Sequence, residues 1–233
     1  IGMEEKDSIT SSDVAFSFGP MLNAPGRITN PQFSYRLLVE KDIEKAKRFA
    51  GYLKQINQIR KEQITELSVH EVNENHYGIV LCPENAHIGI AGLIASKLCE
   101  QYYRPSVVLV PFEKEESTVL KGSARSVSGV HLVKIFQEVA KEIGAFEFGG
   151  HEQAAGLTLL PEQLEPFREA FIRHCNQFPK ERFVRQIEYD GEIDIEELVR
   201  HHPEQHPEVT DYPFIKWLLS FEPFGFGNKE PIS

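Results

Sequence analysis

Between Lys121 and Gly129 the chain reads Lys-Gly-Ser-Ala-Arg-Ser-Val-Ser-Gly, so an ammonium, a hydroxyl and a guanidinium recur at every second residue. In an extended strand Lys121, Ser123 and Arg125 point to one face. The next segment begins a helix, whose free N–H groups and positive dipole end would add to the same field. Together these donors make a phosphate site. An exposed polar strand face followed by an ordinary cap has the same pattern, and on pattern alone the two readings weigh evenly. A second stretch, Leu-Asn-Ala-Pro-Gly-Arg from Leu22 to Arg27, has Pro25-Gly26 to set a turn, from whose two sides Asn23 and Arg27 could converge. Arg27 would hold a phosphate while Asn23 positions backbone or base. A capping Asn23 and a surface ion pair for Arg27 is the commoner arrangement for such a loop. The third stretch is Phe-Gly-Gly-His-Glu-Gln-Ala-Ala-Gly, Phe148 to Gly156. Gly149 and Gly150 permit a sharp turn or a close approach to a ligand. His151 would project from that turn, and Ala154, Ala155 and Gly156 keep the wall beside it low. A phosphate, or a metal-bound water carried by a neighbouring domain, could then come close to His151. A tight turn with a capping histidine is the blander reading.

Other residues carry less. Three histidines stand in His-His-Pro-Glu-Gln-His-Pro-Glu, residues 201–208, but the prolines read as a solvated loop rather than a metal site. His87 opens a helical segment and could cap it or touch substrate. No Ser-His-Asp or Cys-His arrangement stands out, and Glu115-Glu116 and Glu196-Glu197 read as surface. The three cysteines, Cys82, Cys99 and Cys175, are too scattered for a disulfide framework or a zinc ribbon. They read as buried thiols in a reducing cytoplasm.

The elements that must position these residues follow from hydrophobic period. Residues 1–30 read as strand-poor and loop-rich, and a short helix follows over 32–39. From about Asp42 to Val72, Ile43, Ala46, Phe49, Leu53, Ile56, Ile59, Ile64 and Leu67 recur mostly every three or four residues. That spacing predicts a long amphipathic connector helix of roughly 45 Å at 1.5 Å per residue. Tyr-Gly-Ile-Val-Leu-Cys reads as a buried strand, the segment from His87 as a helix with a small-residue face (Gly89, Ala91, Gly92, Ala95, Ser96), and Ser-Val-Val-Leu-Val as a second strand. Strand, helix, strand in this span is a βαβ unit with parallel pairing. The Lys121–Arg125 stretch reads as a third strand. Residues 130–143 form an amphipathic helix, with Ser128 a candidate cap. Strand ends flank the glycine–histidine stretch, and a helix with proline in its first turn follows.

The fold class expected is α/β, a mixed sheet with flanking helices. Domain divisions are expected at 1–40 for the end of one domain, 41–74 for the connector, 75–180 for the mixed-sheet domain and 181–233 for a β-rich region beginning with an edge strand. With 41% hydrophobic residues the chain can bury a real core, and no apolar run is long enough to span a membrane. The formal net charge of −10 argues against broad, non-specific nucleic-acid binding, so a polyanion site must be a local concentration of donors. The first residues, Ile1-Gly2-Met3, suggest an excerpt of a longer protein.

Gly-Pro-Met-Leu-Asn-Ala-Pro-Gly-Arg, His-Ile-Gly-Ile-Ala-Gly-Leu-Ile-Ala-Ser-Lys-Leu, Arg-Pro-Ser-Val-Val-Leu-Val, Lys-Gly-Ser-Ala-Arg-Ser and Phe-Gly-Gly-His-Glu-Gln-Ala-Ala-Gly-Leu-Thr-Leu occur in this order. In that order they resemble the C-terminal half of the RecJ-type exonucleases of the DHH phosphoesterase superfamily, and the last is similar to the signature of the DHH-associated domain. The closing Phe-Glu-Pro-Phe-Gly-Phe-Gly-Asn-Lys-Glu-Pro looks like the entry to that family's oligonucleotide-binding (OB) fold.

The resemblance implies a metal-dependent, single-strand-specific 5′ to 3′ DNA exonuclease of repair and recombination, cytoplasmic, with single-stranded DNA as substrate and single-strand-binding protein or a helicase as partners. Manganese or magnesium would be bound by the family's DHH domain. No Asp-His-His triplet or close Asp pair stands here, so this chain is expected to supply the strand clamp and to bind no metal itself. Carried over, the site residues are His151 as the catalytic group and Asn23, Arg27, Ser123 and Arg125 as contacts to substrate and its 5′ phosphate. Lys121, His87, Gly149 and Gly150 are further candidates. The tryptophan often found ahead of the His-x-Gly-Ile segment is absent; Asn85-Ala86-His87 stands there. Other readings remain: a phosphodiesterase for short oligonucleotides or cyclic dinucleotides, a domain like the C-terminal domain of alanyl-tRNA synthetases, or a non-catalytic replication scaffold.

Overall fold

The computed structural model describes residues 9–69, 73, 75–114, 117–186, 189, 191, 217, 220, 221, 227 and 228. Ala15–Arg185 belong to one compact unit, and a second holds Gln186–Ser233 with a segment ahead of Ala15. Of that second unit the clearest described feature is a capped single turn, α1 (Ser11–Asp13). Thr10 Oγ1 accepts from the Asp13 N–H while Asp13 accepts from the Thr10 N–H at 3.0 Å.

The first unit opens with helices α2 (Gly19–Ile28), α3 (Gln32–Val39) and α4 (Ile43–Leu67). The loop-rich reading of the N-terminal region is therefore corrected. Pro25-Gly26 does not make a turn: Pro25 lies inside α2, whose last turn is closed by the Thr29 N–H donating to the Pro25 carbonyl at 2.8 Å. Asn23 and Arg27 are thus four residues apart on one helical face instead of on two arms of a loop. Met21, Ala24 and Pro25 are buried, so packing overrides the local turn signal. Asp42 caps α4 by accepting from the N–H groups of Glu44 and Lys45. The helix stops at Leu67, short of the expected Val72, because Ser68 turns its hydroxyl back onto the Thr65 carbonyl at 3.1 Å and is itself buried.

Five strands follow: β1 (Ile79–Leu81), β2 (Ser106–Lys114), β3 (Ser117–Arg125), β4 (Glu147–Gly150) and β5 (Ala154–Leu159), in the spatial order β1-β2-β3-β5-β4. β1 and β2 pair in parallel, joined by helix α5 (Ile88–Tyr102); all other pairs are antiparallel. The sheet is mixed, with helices on both faces.

One face carries Val107, Leu109, Leu120, Ala124, Ala155, Leu157 and Leu159. It packs on α6 (Leu132–Ile143) and α7 (Leu164–Cys175) through Phe136, Phe167 and Phe171. The other face carries Ile79, Val108 and Val110 and is covered by Ile90, Ala91, Ile94, Ala95 and Leu98 of α5. Behind α5 lie Ile28 of α2 and Ile64 and Leu67 of α4. Period-2 alternation in each strand sorts the two cores.

The α5 face is only partly covered. Helix α5 crosses β1, β2 and β3, while β5 and β4 present Ala154, Gly156 and Thr158, and Glu147 and Gly149, on the same side without an apolar layer over them. Three local expectations are corrected here. Ser128 does not cap α6: His131 stands at that cap, without a side-chain bond, and the Leu132 N–H donates to the Glu152 carbonyl. Cys82 is half-buried, unlike Cys99 and Cys175. Lys180–Phe183 form a 3-10 turn where an edge strand was expected to begin. The histidines of 201–208, the Glu115-Glu116 and Glu196-Glu197 pairs and most of the OB-like stretch lie outside the described residues.

Candidate nucleic-acid interface

Strand register gathers the Lys121–Arg125 motif. Ser123 sits opposite Val108 on one side and Gly156 on the other, and Gly156 sits opposite Gly149. One row farther along, Lys121, Thr158 and Glu147 stand side by side; one row back, Arg125 faces Ala154. Directly paired residues share a face, so Lys121, Ser123 and Arg125 all emerge on the side of α5. They border a floor made of glycine and alanine. The open groove over this floor, about 490 Å³, is lined by Ile88, Lys121, Gly122, Ser123, Glu147, Phe148, Gly149, Gly156, Leu157 and Thr158.

The glycines explain why the groove is open. A Cβ on Gly149 would meet nothing within 4 Å, and one on Gly156 only the Gly122 carbonyl oxygen at 3.8 Å, so any larger side chain there would fill the groove and nothing else. Gly150 serves a different purpose. Its φ is +147°, and a Cβ would collide with the Ala154 carbonyl oxygen and stand 2.6 Å from the Ala155 Cα. It turns the β4–β5 hairpin, and the His151 N–H donates to the Ala154 carbonyl at 2.8 Å. The turn is anchored on the β3–α6 loop, with the Ser126 N–H donating to the Gln153 carbonyl at 3.0 Å. His151 is exposed at this tip, and its imidazole makes no hydrogen bond to a described residue. It does not line the groove. Through Ala154 it stands at the Arg125 end of the sheet.

The helix that meets the motif is α5 and not α6. The body of helix α6 packs on the opposite face, and its first N–H group, that of Leu132, is taken up by the Glu152 carbonyl. Gly92 of α5 passes under the motif: a Cβ there would be 3.2 Å from Arg125 Nη2 and 3.5 Å from Ser123 Oγ. Arg125 also donates through Nη1 to the Ala124 carbonyl at 2.8 Å, which fixes its direction. Lys121 Nζ lies 4.1 Å from the Phe112 ring centroid, a cation–π contact that holds the ammonium over the outer part of the groove.

One turn back along α5, Gly89 lies against α2 so closely that a Cβ would collide with the Arg27 carbonyl oxygen. Arg27 Nη1 donates to the Gly89 carbonyl at 3.2 Å. His87 is the α5 N-cap, its Nδ1 accepting from the Gly89 N–H at 3.1 Å; that bond supports the capping reading of this residue. Asn23 is exposed on α2, one turn before Arg27.

The structure therefore brings Lys121, Ser123 and Gly149 together in the lining of one groove, with Arg125 one row beyond it opposite Ala154 and Arg27 and His87 at the first turn of α5. The floor residue Gly156 and the supporting Gly92 were not among the candidates, although both stand in small-residue runs visible in the sequence. Arg60 was missed too. It takes an apolar-face position on α4 after Leu53 and Ile56 and is buried, while Ile59, expected on that face, is exposed.

Among the described residues no three His, Cys, Asp or Glu side chains come together to hold a metal ion. The groove's donors suit an anion and do not fit a divalent cation. No described helix is long and apolar enough to cross a membrane. The thiols offer no nucleophile: burial raises the pKa of Cys99 to about 11 and pushes those of Cys82 and Cys175 up as well.

Residues 74–177 match the DHHA1 domain model. The chain is 31% identical to the single-stranded-DNA-specific exonuclease RecJ of Haemophilus influenzae over 82% of its length, and 29% identical to that of Bacillus subtilis over 99%. This chain is a RecJ-type member of the DHH superfamily. It spans 35% and 29% of the length of those two relatives. Its fold is that of RecJ from Thermus thermophilus solved with Mg2+, at a TM-score of 0.74 and 24% identity, covering 95% of this chain and 33% of the other. The same RecJ has also been solved with Mn2+. Within this RecJ-type chain the open groove lies wholly inside the DHHA1 match.

Proposed function

We propose that this chain is the strand-binding part of a single-strand-specific 5′ to 3′ DNA exonuclease acting in repair and recombination in the cytoplasm. The observation that carries the reading is the placement of Ser123 and Arg125 over Gly92, at the rim of a glycine-floored groove. A hydroxyl donor and a forked guanidinium on one strand face suit a terminal phosphate, which offers several oxygens to a bidentate partner. The bare floor leaves room for sugar and base beside it. Lys121 and Arg27 add positive charge along the path, and Asn23 stands near enough to Arg27 on α2 to meet the same strand. Gly149 and Gly150 bring the hairpin backbone down to the groove and turn it, so that His151 can donate to a phosphate oxygen at the Arg125 end.

The metal-dependent hydrolysis, with manganese or magnesium, is assigned to parts of the full-length protein outside this chain. RecJ homologues carry the name of single-stranded-DNA-specific exonucleases, and single-stranded DNA is the substrate proposed here. Single-strand-binding protein or a helicase would be the partners that deliver it.

The test is Arg125→Ala in the full-length protein. A charge-assisted bond is worth about 1.5–3 kcal/mol. Binding of 5′-phosphorylated strands should weaken roughly 10- to 150-fold, while 5′-hydroxyl strands lose much less. Arg125→Lys should restore only part, because charge returns without the fork. Calcium in place of the catalytic metal blocks turnover during titration. Equal losses for both strand ends would remove the 5′-phosphate assignment.

A further inference from the structure

Across its width the open groove changes sign. On one side runs β3, with Lys121 and Ser123; on the other runs the edge strand β4, with Gly149 and the exposed carboxylate of Glu147. Lys121, Thr158 and Glu147 stand in one row on three neighbouring strands, so the two charged residues are two strand spacings apart, roughly 10 Å between backbones. They do not pair. Lys121 leans the other way, with its Nζ 4.1 Å from the centroid of Phe112 on β2, and Glu147 has no ion pair with a described residue. A free carboxylate repels a phosphodiester, so in a strand groove it must meet some other part of the strand. The same row is where the groove runs into a second cavity of about 710 Å³, and Lys121, Glu147 and Thr158 line both. Its apolar wall is Val119, Ala145, Phe146 and Leu160, the last 48% exposed. Gln163 fixes that wall: its Oε1 accepts from the Leu160 N–H at 3.0 Å and its Nε2 donates to the Ala145 carbonyl at 3.2 Å. The Gln163 amide is thereby spent, and Glu147 is left as the charged acceptor where the two cavities meet.

We propose that Glu147 reads a base of the bound strand: the sugar–phosphate backbone follows β3, the bases lie across β5 towards β4, and Glu147 accepts from the exocyclic amine of cytosine or adenine while the base seats against the apolar wall of the adjoining cavity. A carboxylate suits the N4 amine of cytosine, whereas thymine presents the O4 carbonyl in the same place, and two acceptors repel. The bond is charge-assisted and therefore among the stronger ones. An apolar and aromatic wall serves every base alike, so the discrimination falls to the carboxylate. The Glu147 row lies two residues, roughly 7 Å, from Ser123 along the strand direction, within one nucleotide of a phosphate held there. The proposal rests on the strand-binding reading above.

The experiment uses the full-length protein with calcium and two 5′-phosphorylated homopolymers of equal length, oligo-dC and oligo-dT, titrated against wild type, Glu147→Gln and Ala145→Phe. Wild type should bind oligo-dC about tenfold more tightly than oligo-dT, the share of one hydrogen bond to a charged group. Glu147→Gln should bring the two affinities together, because an amide can accept from cytosine and donate to thymine. Its melting temperature should stay that of wild type, since the carboxylate is exposed and has no described partner. Ala145→Phe, which narrows the cavity from an exposed position, should weaken both strands alike. Equal binding of the two homopolymers by wild type, or a preference that survives Glu147→Gln, overturns the proposal. So does wild-type affinity in Ala145→Phe, which takes the cavity out of the path. A fall in the melting temperature of Glu147→Gln overturns it too, because the carboxylate then serves the fold. Failure of the wild type to bind either strand would instead overturn the strand-binding reading beneath it.

Discussion

Gly92 shows how a single absent Cβ shapes the groove. A Cβ there would press on the far ends of two flexible side chains, Arg125 at 3.2 Å and Ser123 at 3.5 Å, and not on backbone. The fold can therefore absorb an alanine while the guanidinium moves. Alanine also has the higher helix propensity, by about 1 kcal/mol. Gly92→Ala should keep or slightly raise the melting temperature and yet weaken binding of 5′-phosphorylated strands by several-fold, read by thermal denaturation and by titration. A loss of stability equal to that of a core mutant would mean that Gly92 is needed for packing instead. Gly150 is the contrasting case. Its positive φ and its nearness to the Ala154 and Ala155 backbone make it a requirement of the hairpin that carries His151.

At the scale of elements, the sheet is held between two helical layers of unequal reach. Helices α6 and α7 back all the strands that bear the groove, and they are tied together at the surface. Glu142 of α6 accepts from His174 of α7 at 2.7 Å and pairs with Arg173. The hydrogen bond with His174, followed by the charge of Arg173, holds the Glu142 carboxyl below the usual range. A carboxyl depressed in the folded state adds stability above its unfolded pKa, and that stability is lost as pH falls through the folded value. Glu142→Gln should therefore melt slightly below wild type at neutral pH, with the gap closing in acid once both proteins carry a neutral group there. A gap that persists unchanged into acid would show that the tie does not depend on charge. Because the pair is exposed, the effect should also shrink with added salt. On the other face, α5 covers β1 to β3 and stops, so the open half of the sheet is as much a product of helix placement as of glycine content.

At the scale of the whole molecule, a net charge of −10 must coexist with affinity for a polyanion. Only a few donors stand along the proposed path: Arg125, Lys121 and Arg27. Two to four phosphates neutralised, at roughly 0.7 each, give a log K against log salt slope of about −1.5 to −3 for single strands. A fluorescence titration of this chain across salt concentrations measures it. A slope near −7 would require a much larger basic surface than this one.

The sequence by itself determined most of the elements around the groove. Val107 to Val110 form a continuous apolar run that reads as a buried strand, and the helical period from Ile43 to Leu67 is long, so local physics suffices to name these elements. It also determined that Lys121, Ser123 and Arg125 share a face, since strand geometry alone demands it. Only tertiary structure decided which helix that face meets. The motif is followed in sequence by α6, yet a strand has two sides, and the buried residues Leu120 and Ala124 turn α6 to the other one. Tertiary contact likewise made a helix of Leu22–Arg27, against its proline-glycine signal, because burying Met21 and Ala24 outweighs a local turn preference. The unpartnered state of Arg60 was legible only in three dimensions. Its position on α4 can be counted from the sequence, but the burial of its Nε without a hydrogen-bond partner depends on residues far away in the chain.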